Sequence, residues 1–150
     1  MSVKVFVDTN VLVYRRDASE PDKQRICHAW LTALWDRRAG ALSFQVLQEY
    51  YITVTRKLSP GLDPHMARDD VRALLAWRPH RVTDQTLEIA WFVQDRYGLS
   101  WWDSLIVAAA QLGQCRYLLT EDLQSGQTIE GVKVLSPFDS DPETSLILPQ

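Results

Sequence analysis

A short valine-rich run near the start of the chain, residues 3–7, ends directly at the carboxylate of Asp8. Short runs of β-branched residues are typical of buried strands. Ligands of open α/β sheets bind where the strands end, so Asp8 is a candidate site residue by position. Asp is also common at helix N-caps and in turns, and for Asp8 considered alone this structural role is favoured over a role in a site. A site role becomes the better interpretation only if other carboxylates lie close to Asp8.

The rest of the chain alternates between short apolar runs and helical patterns. Further strands are predicted at 41–44, 117–120 and 131–135, with a weak candidate at 81–83. Helices are predicted to begin near Ser19, Ser43, Asp63, Asp84 and Ser100. Strands separated by helices imply parallel pairing, with helices on both faces of the sheet. Residues 11–14 carry no strong helix signal, and the tail at 139–150 is predicted to be flexible or bound to a partner.

The composition limits the class of protein. With 150 residues and 46% hydrophobic content, the chain suits one domain with a sizeable core. The formal net charge of -3 argues against coating duplex DNA through bulk positive charge. Cys27 and Cys115 are far apart and suggest neither a zinc site nor a disulfide framework. Without a secretory signal or an apolar run of roughly 20 residues, a cytoplasmic protein is expected.

Four acids are predicted to meet at one edge of the sheet. Asp8 and Asp122 both follow apolar strands, and Asp103 lies in the first turn of a helix. Glu49 is six residues beyond the proposed cap at Ser43, about 9 Å along the helix axis. Helical side chains lean toward the amino end of their helix, so the long Glu49 side chain can extend toward the edge of the sheet where the other acids are expected. The sequence therefore allows four carboxylates to face one cavity.

Carboxylates held close together repel one another, which raises their pKa values. A divalent cation removes this conflict. Oxygen ligands without a His or Cys pair favour Mg²⁺ or Mn²⁺ over zinc. Such an ion can polarise a phosphoryl group and present an activated water, which suits hydrolysis of a phosphodiester bond.

Each of the other acids also has a structural interpretation of its own. Ser100 and Asp103 match the acidic form of a capping box, so Asp103 could belong to a cap. Glu49 could be a solvated helix residue. Asp122 could start a turn, and Glu121 beside it competes for the same role. The six tryptophans are interpreted as core or interface residues in preference to base-stacking platforms.

The order of the acidic motifs resembles that of a known family. The matching segments are Val7-Asp8-Thr9-Asn10, Ser43-x5-Glu49, Leu99-Ser100-x-x-Asp103 followed by Ala108-Ala109-Ala110, and Leu119-Thr120-x-Asp122. Together, across residues 3–138, they resemble the four motifs of PIN-domain ribonucleases, the fold of VapC toxins. The resemblance implies a PIN-like three-layer α/β/α sandwich at 1–138 with a central, mainly parallel sheet of four to five strands.

The resemblance also implies an activity and its residues. A VapC-type toxin is a metal-dependent endoribonuclease that cleaves single-stranded RNA. By this resemblance, Asp8, Glu49, Asp103 and Asp122 are the catalytic residues and hold Mg²⁺ or Mn²⁺. Thr9, Asn10 and Thr120 orient the ligands or water by hydrogen bonding. A cognate antitoxin protein and a homodimer are the implied partners.

Two other functions remain open at this point. One is a PIN-like module that binds RNA or protein without cutting. The other is a phosphatase of the haloacid dehalogenase type, although that chemistry usually needs an Asp at the position of Asn10. Backbone phosphates could be bound by basic side chains near the cavity, although solvated helix faces explain them as well. These candidates are Arg15, Arg16, Arg56, Lys57 and Arg68.

Overall fold

The computed structural model describes residues 3–147 as one mixed α/β structure. Within these residues the strands are β1 (Val5–Val7), β2 (Gly40–Ala41), β3 (Tyr117–Leu119), β4 (Thr128–Ile129) and β5 (Val132–Leu135). The helices are α1 (Thr9–Tyr14), α2 (Pro21–Asp36), α3 (Phe44–Ile52), α4 (Pro64–Leu74), α5 (Asp84–Tyr97), α6 (Trp101–Leu112) and α7 (Pro142–Ser145). A π-helical turn at Thr53–Lys57 extends α3, and a 3-10 turn at Leu75–Trp77 follows α4.

The sheet has the strand order β2-β1-β3-β5-β4. All neighbouring pairs are parallel except β4 and β5, which are antiparallel. Strands β1 and β3 are adjacent and in register, with Val7 opposite Leu119. The residues that follow them, Asp8 and Thr120, therefore leave the sheet side by side. The predicted α/β class with a mainly parallel central sheet is confirmed.

The first helix begins immediately after β1. Asp8 is the N-cap of α1, whose Val11 and Leu12 are buried. Six residues are too few to carry a clear helical period, which explains why the sequence pattern gave no assignment here. The helix matters for the site because its first turn holds Thr9 and Asn10 next to the end of β1.

The weak strand candidate at 81–83 is wrong. The backbone there forms a single parallel bridge between Ser43 and His80, and Thr83 caps α5 with a bond to the backbone N–H of Thr86. The bridge ties the segment before α5 to the loop before α3. Arg81 follows His80 directly, so the bridge also fixes the backbone next to Arg81.

The core lies around the sheet and the central helices. Phe6, Trp30 and Tyr50 are among its largest fully buried side chains, and α6 is buried continuously from Ser104 to Ala110. This burial explains why the α6 sequence is apolar almost all round. Cys27 and Cys115 are buried, free thiols. None of the helices in residues 3–147 combines the length and apolar character that a membrane span needs.

Part of the predicted tail has a defined structure. Helix α7 lies at residues 142–145, the following Leu146 is only 6% exposed, and Glu143 pairs with Arg37 of α2 at 2.9 Å. Residues 148–150 lie outside the described part of the chain. A domain boundary at 138 and a partner for the tail stay predictions.

Candidate functional site

Asp8 lies at the junction of β1 and α1 and is almost fully buried. One carboxylate oxygen, Oδ1, accepts a hydrogen bond from the backbone N–H of Thr9 at 2.7 Å. The other, Oδ2, accepts one from the hydroxyl of Thr120 at 2.8 Å. Asp8 is thus a helix N-cap, as the structural interpretation held, and it also faces the other candidate site residues.

The surroundings of Asp8 favour its protonated form more than water does. Burial raises the pKa of Asp8 from its ordinary value to about 6, against the hydrogen bonds from Thr120 and Thr9, which lower it. The charges of Asp122 and Asp103 make smaller contributions to the same rise. Asp8 therefore lies close enough to two other acids to be affected by their charge.

Glu49 reaches the first turn of α1 from α3. Ser43 caps α3 through a bond from the backbone N–H of Val46 at 3.3 Å, as the sequence predicts. The Glu49 atom Oε2 accepts a hydrogen bond from the hydroxyl of Thr9 at 2.9 Å, and Oε1 accepts one from Gln45 at 3.2 Å. Thr9 thus connects Glu49 with Asp8.

Asn10 connects α1 with the segment after β3. Its amide nitrogen donates to the Asp122 carboxylate and to the Thr120 hydroxyl, both at 3.1 Å. The same hydroxyl accepts a hydrogen bond from the backbone N–H of Asp122 at 3.0 Å and donates to Asp8. A hydroxyl offers one proton and two lone pairs, so the hydrogen-bonding capacity of Thr120 is filled.

Glu121 takes a different direction from Asp122. It accepts hydrogen bonds from Tyr14 and, at 2.8 Å, from Lys23 of α2. Burial alone would raise the pKa of the Glu121 carboxyl, but the bonds from Lys23 and Tyr14 lower it overall. Glu121 is therefore held by a cation of the chain, while Asp122 interacts with Asn10.

Asp103 lies at the start of α6 and is half-buried. The cap of this helix is Ser100, whose hydroxyl accepts the backbone N–H of Asp103 at 3.1 Å. Burial raises the pKa of Asp103, hydrogen bonding with Ser100 lowers it, and the charges of Asp122 and Glu49 raise it again. Asp103 is therefore affected by the charges of Asp122 and Glu49, and Asp8 by those of Asp122 and Asp103. These four acids are named here the acidic centre.

The side chains of the acidic centre fit a hard divalent cation by their chemistry. They offer carboxylate oxygens with hydroxyl and amide groups beside them, which are the ligand types that Mg²⁺ and Mn²⁺ prefer. Within residues 3–147, no three His, Cys, Asp or Glu side chains are arranged closely enough to hold a metal ion. The carboxylates of Glu49 and Asp122 are engaged instead by Thr9, Gln45 and Asn10.

Three of the basic side chains considered as phosphate-binding residues interact with other parts of the chain. Arg16 forms a two-bond ion pair with Asp70 at 2.7 and 2.9 Å, and Arg15 lies 3.5 Å from the same carboxylate. Arg68 donates to the hydroxyl of Tyr51. Glu49 lines a groove of about 510 Å³. Within the described residues, none of the five basic candidates lines this groove. The positively charged side chain that does line it is Arg81, which was not among the residues predicted from the sequence.

The fold and the acidic centre define the class of protein, an α/β domain with a carboxylate cluster at the end of two parallel strands. The PIN domain family matches residues 5–127, and the chain belongs to this family. PIN domains are generally nucleases and usually use divalent metal ions. The family match excludes the haloacid dehalogenase interpretation.

The chain was also compared with curated protein sequences and with solved structures. No curated protein sequence matches the chain. A solved chain from a toxin-antitoxin complex of Klebsiella pneumoniae is similar in structure, with a TM-score of 0.62 and 19% identity. The similarity covers 89% of this chain and 98% of that one. At this identity the likeness concerns the fold alone.

Proposed function

We propose that this PIN domain is a metal-dependent endoribonuclease that hydrolyses phosphodiester bonds in RNA, and that it is the toxin of a type II toxin–antitoxin system. The observation that carries the proposal is the hydrogen-bond network of the acidic centre, in which Thr9 bonds to both Asp8 and Glu49, and Thr120 and Asn10 connect Asp8 with Asp122. The charges of Glu49 and Asp122 also act on Asp103. Two of its acids, Asp8 and Asp103, have pKa values raised by burial and by the charges of neighbouring acids, and such raised values are typical of functional sites.

In this proposal the four carboxylates hold Mg²⁺ or Mn²⁺. The bound ion supplies Lewis acidity toward the phosphoryl group and lowers the pKa of a water molecule. The chain's own contribution is orientation. Thr120 and the Thr9 backbone fix both oxygens of Asp8, Asn10 fixes Asp122, and the Thr9 hydroxyl fixes Glu49.

The assignment as a toxin has its own support. A structurally similar chain comes from a toxin-antitoxin complex, and its whole length is nearly covered. We therefore propose that the partners are a cognate antitoxin protein and a second copy of this chain, and that the protein acts in the cytoplasm. The association can be tested by co-expression with the product of a small neighbouring reading frame.

Cleavage of mixed single-stranded RNA in the presence of Mg²⁺ or Mn²⁺ tests the activity. The protein is expected to cut the RNA, EDTA is expected to stop the reaction, and Asp8→Asn is expected to lower the rate by at least about 100-fold, in line with losses from key catalytic groups. The full chain is used in both samples.

Equal cleavage by the two proteins would mean that the activity does not arise at the acidic centre. An absence of cleavage in both, with RNA or a protein partner still bound, would favour the non-cleaving PIN-like module. Folding of Asp8→Asn is checked by circular dichroism, and we expect it to remain intact because Asn is also a good N-cap.

A further inference from the structure

A groove adjoins the acidic centre and shares one residue with it. The groove lies along the first turns of α3, beside the segment before α5 and the start of α6, and Glu49 forms part of its wall. Its volume of about 510 Å³ is within the range of small-ligand sites. Arg81, Val82 and Trp102 line the same groove as Glu49.

Arg81 is held in place on this groove. Its guanidinium lies over the ring of Phe44, 4.4 Å from the ring centre. The backbone around it is fixed because the Phe44 N–H donates to the carbonyl of His80 at 3.1 Å and the His80 N–H donates to Leu42 at 2.9 Å. Arg81 is exposed and forms no ion pair with any residue in 3–147. It is a positioned cation with its charge available to a ligand.

Trp102 is an exposed aromatic side chain beside a proposed metal ligand. It lies in the first turn of α6, next to Asp103, and is 62% exposed. Val82, which also lines the groove, is 55% exposed. Exposed apolar groups that are gathered in a concave surface mark binding sites more often than single ones do. The indole offers a large flat face for a planar ligand.

We propose that this groove binds an unpaired nucleotide next to the cleaved phosphate, with its base against Trp102 and its phosphate at Arg81. Aromatic faces that stack bases, combined with cations that contact the backbone, are the common means of binding single-stranded nucleic acid. The base must be unpaired, since a base inside a duplex cannot present its face to a side chain. The proposal rests on the proposed RNA cleavage and names how that substrate is held.

The combination of a cation with an exposed aromatic side chain supports a nucleic acid over a protein partner. Glu49 repels an approaching phosphate, and Arg81 supplies the opposite charge in the same groove. A flat aromatic face beside a cation suits a base and its phosphate together. A protein segment that occupies the groove is the alternative, and the experiment below separates it from a nucleotide.

The test measures binding separately from cleavage. The full-length Asp8→Asn protein is titrated against fluorescein-labelled 12-nucleotide single-stranded RNAs of mixed sequence, at fixed Mg²⁺ and several salt concentrations. Adding Trp102→Ala is expected to weaken binding by about 5- to 150-fold, the effect of losing one stacked base. Adding Arg81→Ala is expected to reduce the slope of log Kd against log salt by about 0.7, the effect of losing one phosphate contact in a single strand.

Two matched controls remove similar side chains away from the groove. Phe92→Ala removes an aromatic residue of α5 that is 50% exposed, and Arg25→Ala removes an exposed arginine of α2. Both are expected to bind like the parent protein. A duplex RNA of the same sequence is expected to show no effect of Trp102→Ala, whereas single-stranded DNA is expected to show one, because stacking needs only the base.

Three outcomes would overturn the proposal: no measurable binding by the parent, unchanged binding and salt slope in both groove variants, or an equal loss with duplex RNA. The second outcome would leave the groove to a protein partner. The result does not depend on cleavage, because every protein in the titration carries Asp8→Asn. A failure of the proposed nuclease activity is recognised separately in the cleavage assay.

Discussion

At the scale of single residues, Asp8 has two roles that its sequence position alone could not separate. Its carboxylate caps α1, and it also lies close enough to Asp103 and Asp122 for their charges to raise its pKa. The two roles support each other, because the cap fixes the orientation of the carboxylate. The free energy that burial of this charge costs is offset in part by the hydrogen bonds from Thr9 and Thr120.

Thr120 provides a test of this network. Its fully buried hydroxyl contacts Asp8, Asn10 and the backbone of Asp122, so Thr120→Val removes one hydrogen bond from each of these groups while keeping the side-chain volume. We expect the free energy of unfolding to fall by roughly 1–3 kcal/mol, measured by urea denaturation. Thr120→Ser keeps the hydroxyl and is expected to lose less. Equal stability of the valine variant and the natural protein would contradict the role assigned to this hydroxyl.

At the scale of elements, the parts of the fold that depend on local sequence were predictable. The strand before Asp8 and the helix caps at Ser43 and Ser100 follow from neighbouring residues. Helix α1 and strand β4 were not predicted, because elements of six and two residues show no period. The family resemblance named Thr9, Asn10 and Thr120 as residues that orient the acids by hydrogen bonding, but the sequence did not indicate which acid each of them contacts.

The contacts that no pattern predicted are long-range ones. Asp70 of α4, which is only 9% exposed, joins three elements by pairing with Arg16 after α1 and accepting a hydrogen bond from the Tyr50 hydroxyl of α3. In the sequence, Arg16 looked equally suited to bind phosphate. Only the folded chain decides which anion an arginine meets, because the partner is 54 residues away.

Removal of this buried carboxylate charge is expected to be costly. Asp70→Asn leaves Arg16 and Tyr50 without their charged partner, and we expect a loss of about 3–5 kcal/mol in the free energy of unfolding. The matched control is Asp69→Asn, since Asp69 is exposed and pairs only with Arg72. We expect that control to change stability by less than about 1 kcal/mol. A small effect at Asp70 would mean that the three elements are held by apolar packing alone.

The same ion pair predicts a pH dependence of stability. Burial alone would raise the pKa of Asp70, but the bonds from Arg16 and Tyr50 lower it below its ordinary value. A group with a lowered folded pKa stabilises the fold above its unfolded pKa, which is about 3.9 for Asp, and loses this effect as the pH falls through the folded pKa. Unfolding curves between pH 7 and 2 should show this loss below about pH 4 in the natural protein. In Asp70→Asn this contribution should be absent.

At the scale of the whole molecule, the carboxyl-terminal segment closes the core on the side of α2. Leu146 is buried, whereas the neighbouring Ile147 is 65% exposed. We expect Leu146→Ala to lower the free energy of unfolding by about 2–5 kcal/mol and Ile147→Ala to leave it unchanged, as measured by thermal and urea unfolding. Equal, small effects at both positions would support the prediction of a flexible tail from residue 139 onward.

Part of the negative charge of the molecule belongs to the acidic centre. A net charge of -3 is modest for 150 residues, and two acids of the acidic centre, Asp8 and Asp103, have pKa values raised by burial and by the charges of acids near them. Burial and repulsion at a site are a cost that metal binding can offset. The central claim is therefore that these four carboxylates act together as one cation site.

Calorimetric titration with Mn²⁺ tests this claim most directly, on the natural protein, Asp103→Asn and Glu121→Gln. We expect the natural protein to bind Mn²⁺, Asp103→Asn to bind at least about 10-fold more weakly while remaining folded, and Glu121→Gln to bind like the natural protein. Glu121 is the matched control because it lies beside Asp122 but pairs with Lys23. Unchanged binding in Asp103→Asn, or loss of binding only in Glu121→Gln, would contradict the account.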